Sequence, residues 1–255
     1  NASGANSVAS AISSNASGSG AKATALFSNA SGARALASGI RSNASGESAV
    51  ASGDQSNASG VSSVASGVQS NASGYLAVAS GDRSNASGRS ATASGLNSNA
   101  SGVSSTASGI NSNASGVSSK ASGANSNASG VFSVASGNDS IASGTNAQAI
   151  GVGSVALGSN SVASVLAGVA GYVPGTATAA QTAAITATKS TLAAISVGDA
   201  AGGVFRQING VAAGTVDSDA VNVAQLKAGI AAGTVKYFSV NSTGGTNELN
   251  DGATG

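Results

Sequence analysis

The chain has 255 residues, with 37 Gly, one Pro, no Cys, Met, Trp or His, only 3% aromatic and 7% charged residues, and a net charge of +1. That composition excludes a core built on buried Leu, Ile, Phe and Met. It also excludes a disulfide scaffold or thiolate metal site and the basic patch of a nucleic-acid binder. No apolar run reaches the roughly 18 residues that a membrane helix needs, and the first residues do not read as a signal peptide.

From Gly4 to Gly158 the chain counts in sevens, with Gly at nearly every step and only Ala11 and Ala25 interrupting the column. Two residues before each Gly stands Ala, and two before that Ser or Ala; the residue directly before Gly is Ser except at Thr24, Ile150 and Leu157. So long a register without a slip is the mark of a solenoid, not a linker. A coiled coil fails, because a Gly in every heptad costs about 1 kcal/mol each in a helix and the a and d positions lack apolar residues. Small residues two apart are strand periodicity, with one face tiny. The spacing therefore predicts a strand of about five residues per unit, then a two-residue turn after the Gly.

Units alternate. Three residues before Gly, one set carries Asn at 1, 15, 29, 43, 57, 71, 85, 99, 113 and 127, then Ile141 and Val155. The other carries Val8, Lys22, Leu36, Val50, Val64, Val78, Thr92, Thr106, Lys120, Val134 and Gln148. The true repeat is thus 14 residues, one coil of an all-β parallel solenoid with coils about 4.8 Å apart. Stacked Asn residues are expected to hydrogen-bond from coil to coil, as polar groups under cover must. So thin an interior calls for burial against other chains. Asn43, Asn57, Asn71, Asn85, Asn99, Asn113, Asn127, Ile141 and Val155 are the expected subunit interface. The opposite choice, the Val column at the interface, would bury Lys22 and Lys120 at a high cost. Tyr75, Leu76, Phe132, Arg34, Arg41, Glu47, Asp54, Asp82, Arg83, Arg89 and Asp139 fall on turns and stud the surface.

After this head (residues 1–165), residues 166–195 read as an insert, part strand and part loop, with strand character restored at 191–198. Residues 196–229 follow, with Asp217 or Ser218 as a candidate helix cap and Ala220, Val223 and Leu226 as an apolar stripe. Residues 230–255 read as a connector containing a strand and Gly-rich turns. Nothing converges as an acid–base pair, nucleophile or ligand set, so neither catalysis nor a cofactor is expected. The Asn-Ala-Ser sequons are products of the repeat itself. Two function classes remain: an adhesive surface made of many weak sites, and a structural spacer. Ice binding would ask for a regular Thr face instead.

The units "SVALGSNSVA" followed by "RQINGVAAGTVDSDAVNVAQL" resemble the head and neck of YadA-like trimeric autotransporter adhesins. The resemblance implies a homotrimer of left-handed parallel β-rolls, ended by a neck with a short helical, coiled-coil segment. It also implies a place on the bacterial surface, anchored in the outer membrane through a C-terminal region beyond this sequence. The partner implied is a host cell or matrix protein. In the neck it implicates Arg206, Gln207, Ile208, Val211, Asp219, Ala220, Val221, Asn222, Gln225 and Leu226. The closing "GATG" resembles the lead-in to a further head. Ser stands before Gly where the family often has Ile, and Asn209-Gly210 stands where it usually has Thr-Asn.

Overall fold

A computed structural model describes residues 1–233. They fall into two compact units, one ending at Arg206 and one beginning at Gln207. The expected strand and Gly-rich turns of the tail, and most of the 230–255 connector, lie outside the described residues.

The first unit is a parallel solenoid of two 12-stranded sheets. One sheet stacks the Asn strands, Asn15–Ala16 through Asn127–Ala128, then Ile141–Ser143, Val155–Leu157 and Ile195–Ser196. The other stacks the variable strands from Val8–Ala9 to Val162–Ala163. Every strand up to Val162–Ala163 pairs with its equivalent one coil away, as in Asn71 with Asn85 and Val78 with Thr92, a register of 14 residues. The regular strands are two residues long rather than five. The backbone on either side still bonds along the axis (Asn43 N–H to Ser56 O, 2.9 Å; Ser45 N–H to Ala58 O, 3.0 Å), but the corners set in too soon for a longer ladder.

The core is made of methyl groups. Its buried apolar residues are all Ala, as in Ala44, Ala58 and Ala72 of the Asn sheet and Ala51, Ala65 and Ala79 opposite. Glycine at the corner is dictated by the coil above. A Cβ on Gly74 would stand 2.2 Å from the carbonyl oxygen of Gly88, and one on Gly95 would stand 2.0 Å from that of Gly109. Coils stack at backbone hydrogen-bonding distance, so backbone meets backbone there, and only Ala11 and Ala25 in the first coils place a methyl in the column.

Each corner is a β-turn: the Ser42 N–H donates to Gly39 O at 3.1 Å, with Arg41 at φ +57°. Positive φ at only the second central residue is the pattern of a type II turn. This stands the central peptide along the solenoid axis, where it joins a file of its own. The Arg41 N–H donates to Leu26 O at 3.0 Å, and the Gln55 N–H donates to Ile40 O at 2.8 Å. The hydrogen bonds gained offset a left-handed conformation that costs a non-glycine residue roughly 1–2 kcal/mol. Side chains obey this geometry. Val, Ile and Thr occupy the first turn position often (Ile40, Val61, Val68, Val103, Ile110, Val117) and the second, left-handed position never.

The roll closes on a strand supplied from beyond the insert. Ile195–Ser196 pairs with Val155–Leu157, and the Val162 N–H finds its acceptor in Gly198 O at 2.8 Å. The insert holds a helix that the sequence reading treats as strand and loop: α1, Ala179–Ala187. Thr178 caps it, accepting from the Gln181 N–H, while the Gln181 side chain accepts from the Thr178 N–H at 2.9 Å. This reciprocal capping box and an Ala-rich run override the Thr content. No residue of α1 is buried.

Inward-facing serines fall into two groups that do not follow the sheets, since Ser28, Ser126 and Ser140 of the Asn sheet each donate to the carbonyl three residues back at 2.6 Å. Ser63, Ser105, Ser119 and Ser133 of the variable sheet each donate to a Gly carbonyl three residues back at 2.7 Å. Ser42, Ser56, Ser70, Ser84, Ser98 and Ser112 of the Asn sheet are buried with no hydrogen-bond partner for the hydroxyl. The structure gives no reason for Ser over Ala at those six positions. Two substitutions distinguish these constraints in thermal or denaturant unfolding. Gly74→Ala should destabilise by about 3 kcal/mol or more, since a rigid backbone must move. Ser70→Ala should be neutral or stabilising, because it removes an unpaired buried hydroxyl.

Candidate interaction faces and neck

The Asn face is a single hydrogen-bonded file. Asn15 Nδ2 donates to Asn29 Oδ1 at 3.2 Å, and the pattern runs on through Asn43, Asn57, Asn71, Asn85, Asn99 and Asn113 to Asn127 at 3.0–3.3 Å. Every Nδ2 points to the next coil, so the amide dipoles align. Asn43 through Asn127 are half-buried within one protomer, by their neighbours in the file. Each amide spends one N–H and one lone pair along the axis, which leaves one of each to the side. The file ends where Ile141 takes the column; Ile141 is exposed and Val155 is half-buried.

The opposite face keeps Lys22 and Lys120 exposed, with Val, Leu and Thr half-buried between them. The turns carry the variety. One edge bears Val61, Val103, Val117, Val131 and Phe132, all partly or largely exposed, with the Arg89 guanidinium 5.8 Å from the Tyr75 ring centre. On the same edge Arg34 and Glu47 pair at 2.7 Å; both are well exposed, which limits the pair to 0–1 kcal/mol or so. The other edge holds a second amide file that the sequence reading misses. Asn97 donates to Asn111 at 3.0 Å, Asn111 to Asn125 at 3.1 Å, and Asn125 to the Asp139 carboxylate at 2.8 Å. Its signal was present: Asn recurs every 14 residues at a left-handed position, which Asn tolerates best after Gly. Asp54 and Asp82 act as caps on this edge, accepting from the Ile40 and Val68 N–H groups at 2.9 Å.

Arg206 finishes the roll. Its guanidinium donates to Val197 O and Ser159 O, satisfying carbonyls of the final coil that have no further coil above them. A Cβ on Gly158 would press on that guanidinium at 3.0 Å.

In the second unit Asp219 and Gln225 organise a tight loop. The Asp219 carboxylate accepts from the Thr215 N–H at 2.8 Å, the Thr215 hydroxyl at 3.0 Å and the Val216 N–H at 3.2 Å. Gln225 grips the Gly214 peptide on both sides, accepting from its N–H and donating to its carbonyl, each at 2.9 Å. Asn222 Oδ1 accepts from the Gln225 N–H at 3.0 Å, and Gln225 Oε1 accepts from the Asn222 N–H at 3.3 Å. Asn222 is therefore the cap of helix α2, Val223–Gly233, in place of the expected Asp217 or Ser218. Asp219 is consumed by the loop, and Ala220 precedes the helix. Gln207, Ile208, Ala220, Val221 and Leu226 are exposed and Val211 is half-buried. The apolar members of the set thus lack cover within one chain.

Two tests bear on these contacts. Asn71→Asp keeps an acceptor for Asn57 but sets a carboxylate against Asn85 Oδ1, so it should lower the melting temperature more than Asn71→Ala. The Asp219 carboxyl is held below its ordinary value of 3.8, first by the Thr215 N–H, then by the Val216 N–H and the Thr215 hydroxyl. A depressed carboxyl contributes stability that is complete above its unfolded value and is lost as pH falls through the folded one. The Thr215 and Val216 amides should therefore lose exchange protection only below about pH 4, and Asp219→Asn should abolish that dependence.

Comparison with known proteins finds two family models. One, described as the YadA head domain repeat, matches residues 30–56, 58–84, 72–98, 86–112, 100–126, 114–140 and 135–161. The other, the coiled stalk of trimeric autotransporter adhesin, matches residues 207–249. The trimeric autotransporter adhesin AtaA of Acinetobacter sp. (strain Tol 5) is 58% identical over 85 residues, 33% of this chain and 2% of that protein. The autotransporter adhesin BadA of Bartonella henselae is 54% identical over 67 residues, 26% of this chain and 2% of that protein. The matched segments are thus a very small share of these relatives' length. The crystal structure of the collagen-binding domain of Yersinia adhesin YadA aligns with 26% identity over 76% of this chain and 84% of that one, with a TM-score of 0.40.

Proposed function

Because the chain belongs to the family of YadA-like trimeric autotransporter adhesins, we propose that it is a non-catalytic adhesin segment. In this reading it works as a homotrimer at the bacterial surface and attaches to a host cell or extracellular-matrix protein. Anchorage in the outer membrane would come from a C-terminal region of the longer protein. The observation that carries the proposal is the division of labour between faces. One face repeats a single amide from coil to coil, whereas the turns present Tyr75, Arg89, Val103, Val117 and Phe132 in changing order. A uniform face suits packing against identical neighbours; a varied edge repeated on three chains suits avidity from weak sites.

On this reading the Asn43–Asn127 file, Ile141 and Val155 face the other subunits, and Arg206, Gln207, Ile208, Val211, Asp219, Ala220, Val221, Asn222, Gln225 and Leu226 help to hold the three chains together. Half-buried amides with a spare N–H and lone pair match a polar interface, and Ile141 and Val155 continue the column as apolar contacts. A charge on that face, Asn85→Arg, should shift sedimentation of the purified protein from trimer toward monomer. The equivalent Val78→Arg on the opposite face should not, as Lys22 and Lys120 already stand there. The reverse result would place the variable face inside.

The second reading is a spacer that projects a distal domain, and the coil-to-coil uniformity of the Ala core and the Asn file favours it. Binding of purified trimer to collagen, fibronectin, laminin and host cells separates the two. Adhesion retained by a protein that lacks residues 1–165 but keeps its distal domains would leave only the spacer.

A further inference from the structure

We propose that Asn209–Gly210 is a spontaneous modification site, at which the chain converts its own asparagine to aspartate or isoaspartate. The chemistry needs three things: a free amide nitrogen following Asn, no side chain to crowd its approach, and a backbone able to turn toward the Asn carbonyl carbon. All three meet here. Asn209–Gly210 is the only Asn–Gly pair in the sequence. Within the single chain both residues are exposed, in a stretch with neither helix nor strand. Neither the Gly210 N–H nor the Asn209 amide makes a hydrogen bond. Gly210 sits at φ +71° with open space around it, and Gly moves between conformations more freely than any other residue.

The many other asparagines of the roll provide the contrast. In the main file each amide is tied to its neighbours, and the following Ala lies in the sheet ladder. In the second file Asn97, Asn111 and Asn125 are tied likewise, and the next residue's N–H is held in the turn (Ser98 to Gly95 O, 3.2 Å; Ser112 to Gly109 O, 3.3 Å). Their nitrogens are not available as nucleophiles.

The step balances without an oxidant or cofactor. The Gly210 nitrogen, its proton taken by solvent base, attacks Asn209 Cγ. The new C–N bond closes a succinimide as the Cγ–Nδ2 bond breaks, and the side-chain nitrogen leaves as ammonia. Water then opens the ring at either carbonyl, so the net change is water in and ammonia out. The product is a carboxylate beside Ile208. Among residues 207–233 the charges are Asp217 and Asp219 against Lys227, a net of −1 that becomes −2.

The test uses the full assembled protein, incubated at neutral and mildly alkaline pH and then cut with trypsin. Cleavage after Arg206 and Lys227 releases residues 207–227 as one peptide. Mass spectrometry with fragmentation, together with isoaspartate methyltransferase labelling, reads the conversion. Conversion should appear at Asn209 before Asn222 and before any repeat Asn, should accelerate as pH rises, and should be largely lost in Gly210→Ala. Asn209 left intact under conditions that convert a synthetic 207–227 peptide would overturn the proposal. So would conversion that begins in the roll.

Discussion

The structure depends on one contact: the corner backbone of each coil resting on the corner backbone of the next. Gly74 against the carbonyl of Gly88 leaves less room than a methyl group needs. Coils that close cannot hold anything large between them, so the interior shrinks to Ala, Ser and Gly. The usual source of stability, burial of large apolar side chains at about 25 cal/mol per Å², is thereby much reduced. What replaces it is regularity. Strand backbones, turn peptides and two files of side-chain amides all bond along one axis with a single 14-residue period.

That economy pushes chemical variety outward. Inward positions admit a methyl or a hydroxyl, and the corner admits hydrogen alone except at Ala11 and Ala25 of the first coils, so identity changes mainly at outward strand positions and turns. Turns are constrained in their own way. Stacking the central peptide along the axis forces the second turn residue into the left-handed region, where Asn, Ser, Gln, Arg, Leu76 and even Phe27 are accepted but β-branched side chains are not. The first position has no such limit and carries Val, Ile, Leu, Tyr and Asp. A surface that evolves under these rules is a double row of edge positions at fixed spacing, with one column free and one restricted.

The periodic part of the fold was legible because each residue class answers to one steric demand repeated in every coil. Gly marks backbone contact, Ala marks the core, and Asn marks a file that only equal spacing can sustain. The parts that were less legible are those where a local exchange of hydrogen bonds wins. Helix α1 follows from Thr178 and Gln181 satisfying each other's backbone, a pair easily lost in a Thr- and Ala-rich stretch. Asn222, not Asp217 or Ser218, caps α2, because Gln225 sits where it can answer, while Asp219 is drawn back to Thr215. The second amide file is masked in the sequence because its Asn residues also suit a left-handed turn. Arg206 belonged to a recognisable phrase, yet its work on the carbonyls of Val197 and Ser159 depends on a chain reversal that no periodicity announces.

The Asn face also changes character along the roll. From Asn15 to Asn127 it offers amide groups already half satisfied, whose spare donors and acceptors reward correct alignment more than they supply attraction. At Ile141, Val155, Leu157 and Ile195 the same face turns apolar, with Ile195 largely exposed in the single chain. Apolar contact is strong but indifferent to register, since sliding it along an axis costs little. Amide files are the reverse: weak per contact, but mismatched by any slip that is not a whole coil. If the Asn face meets the other subunits, as proposed, a polar column joined to an apolar end separates affinity from alignment. Chains that meet through the apolar end would be brought into step by the amides, in the way that a buried Asn fixes register in a coiled coil at some expense of stability. In such an arrangement the column need not be apolar throughout, and invariant amides over many coils would keep the chains in step.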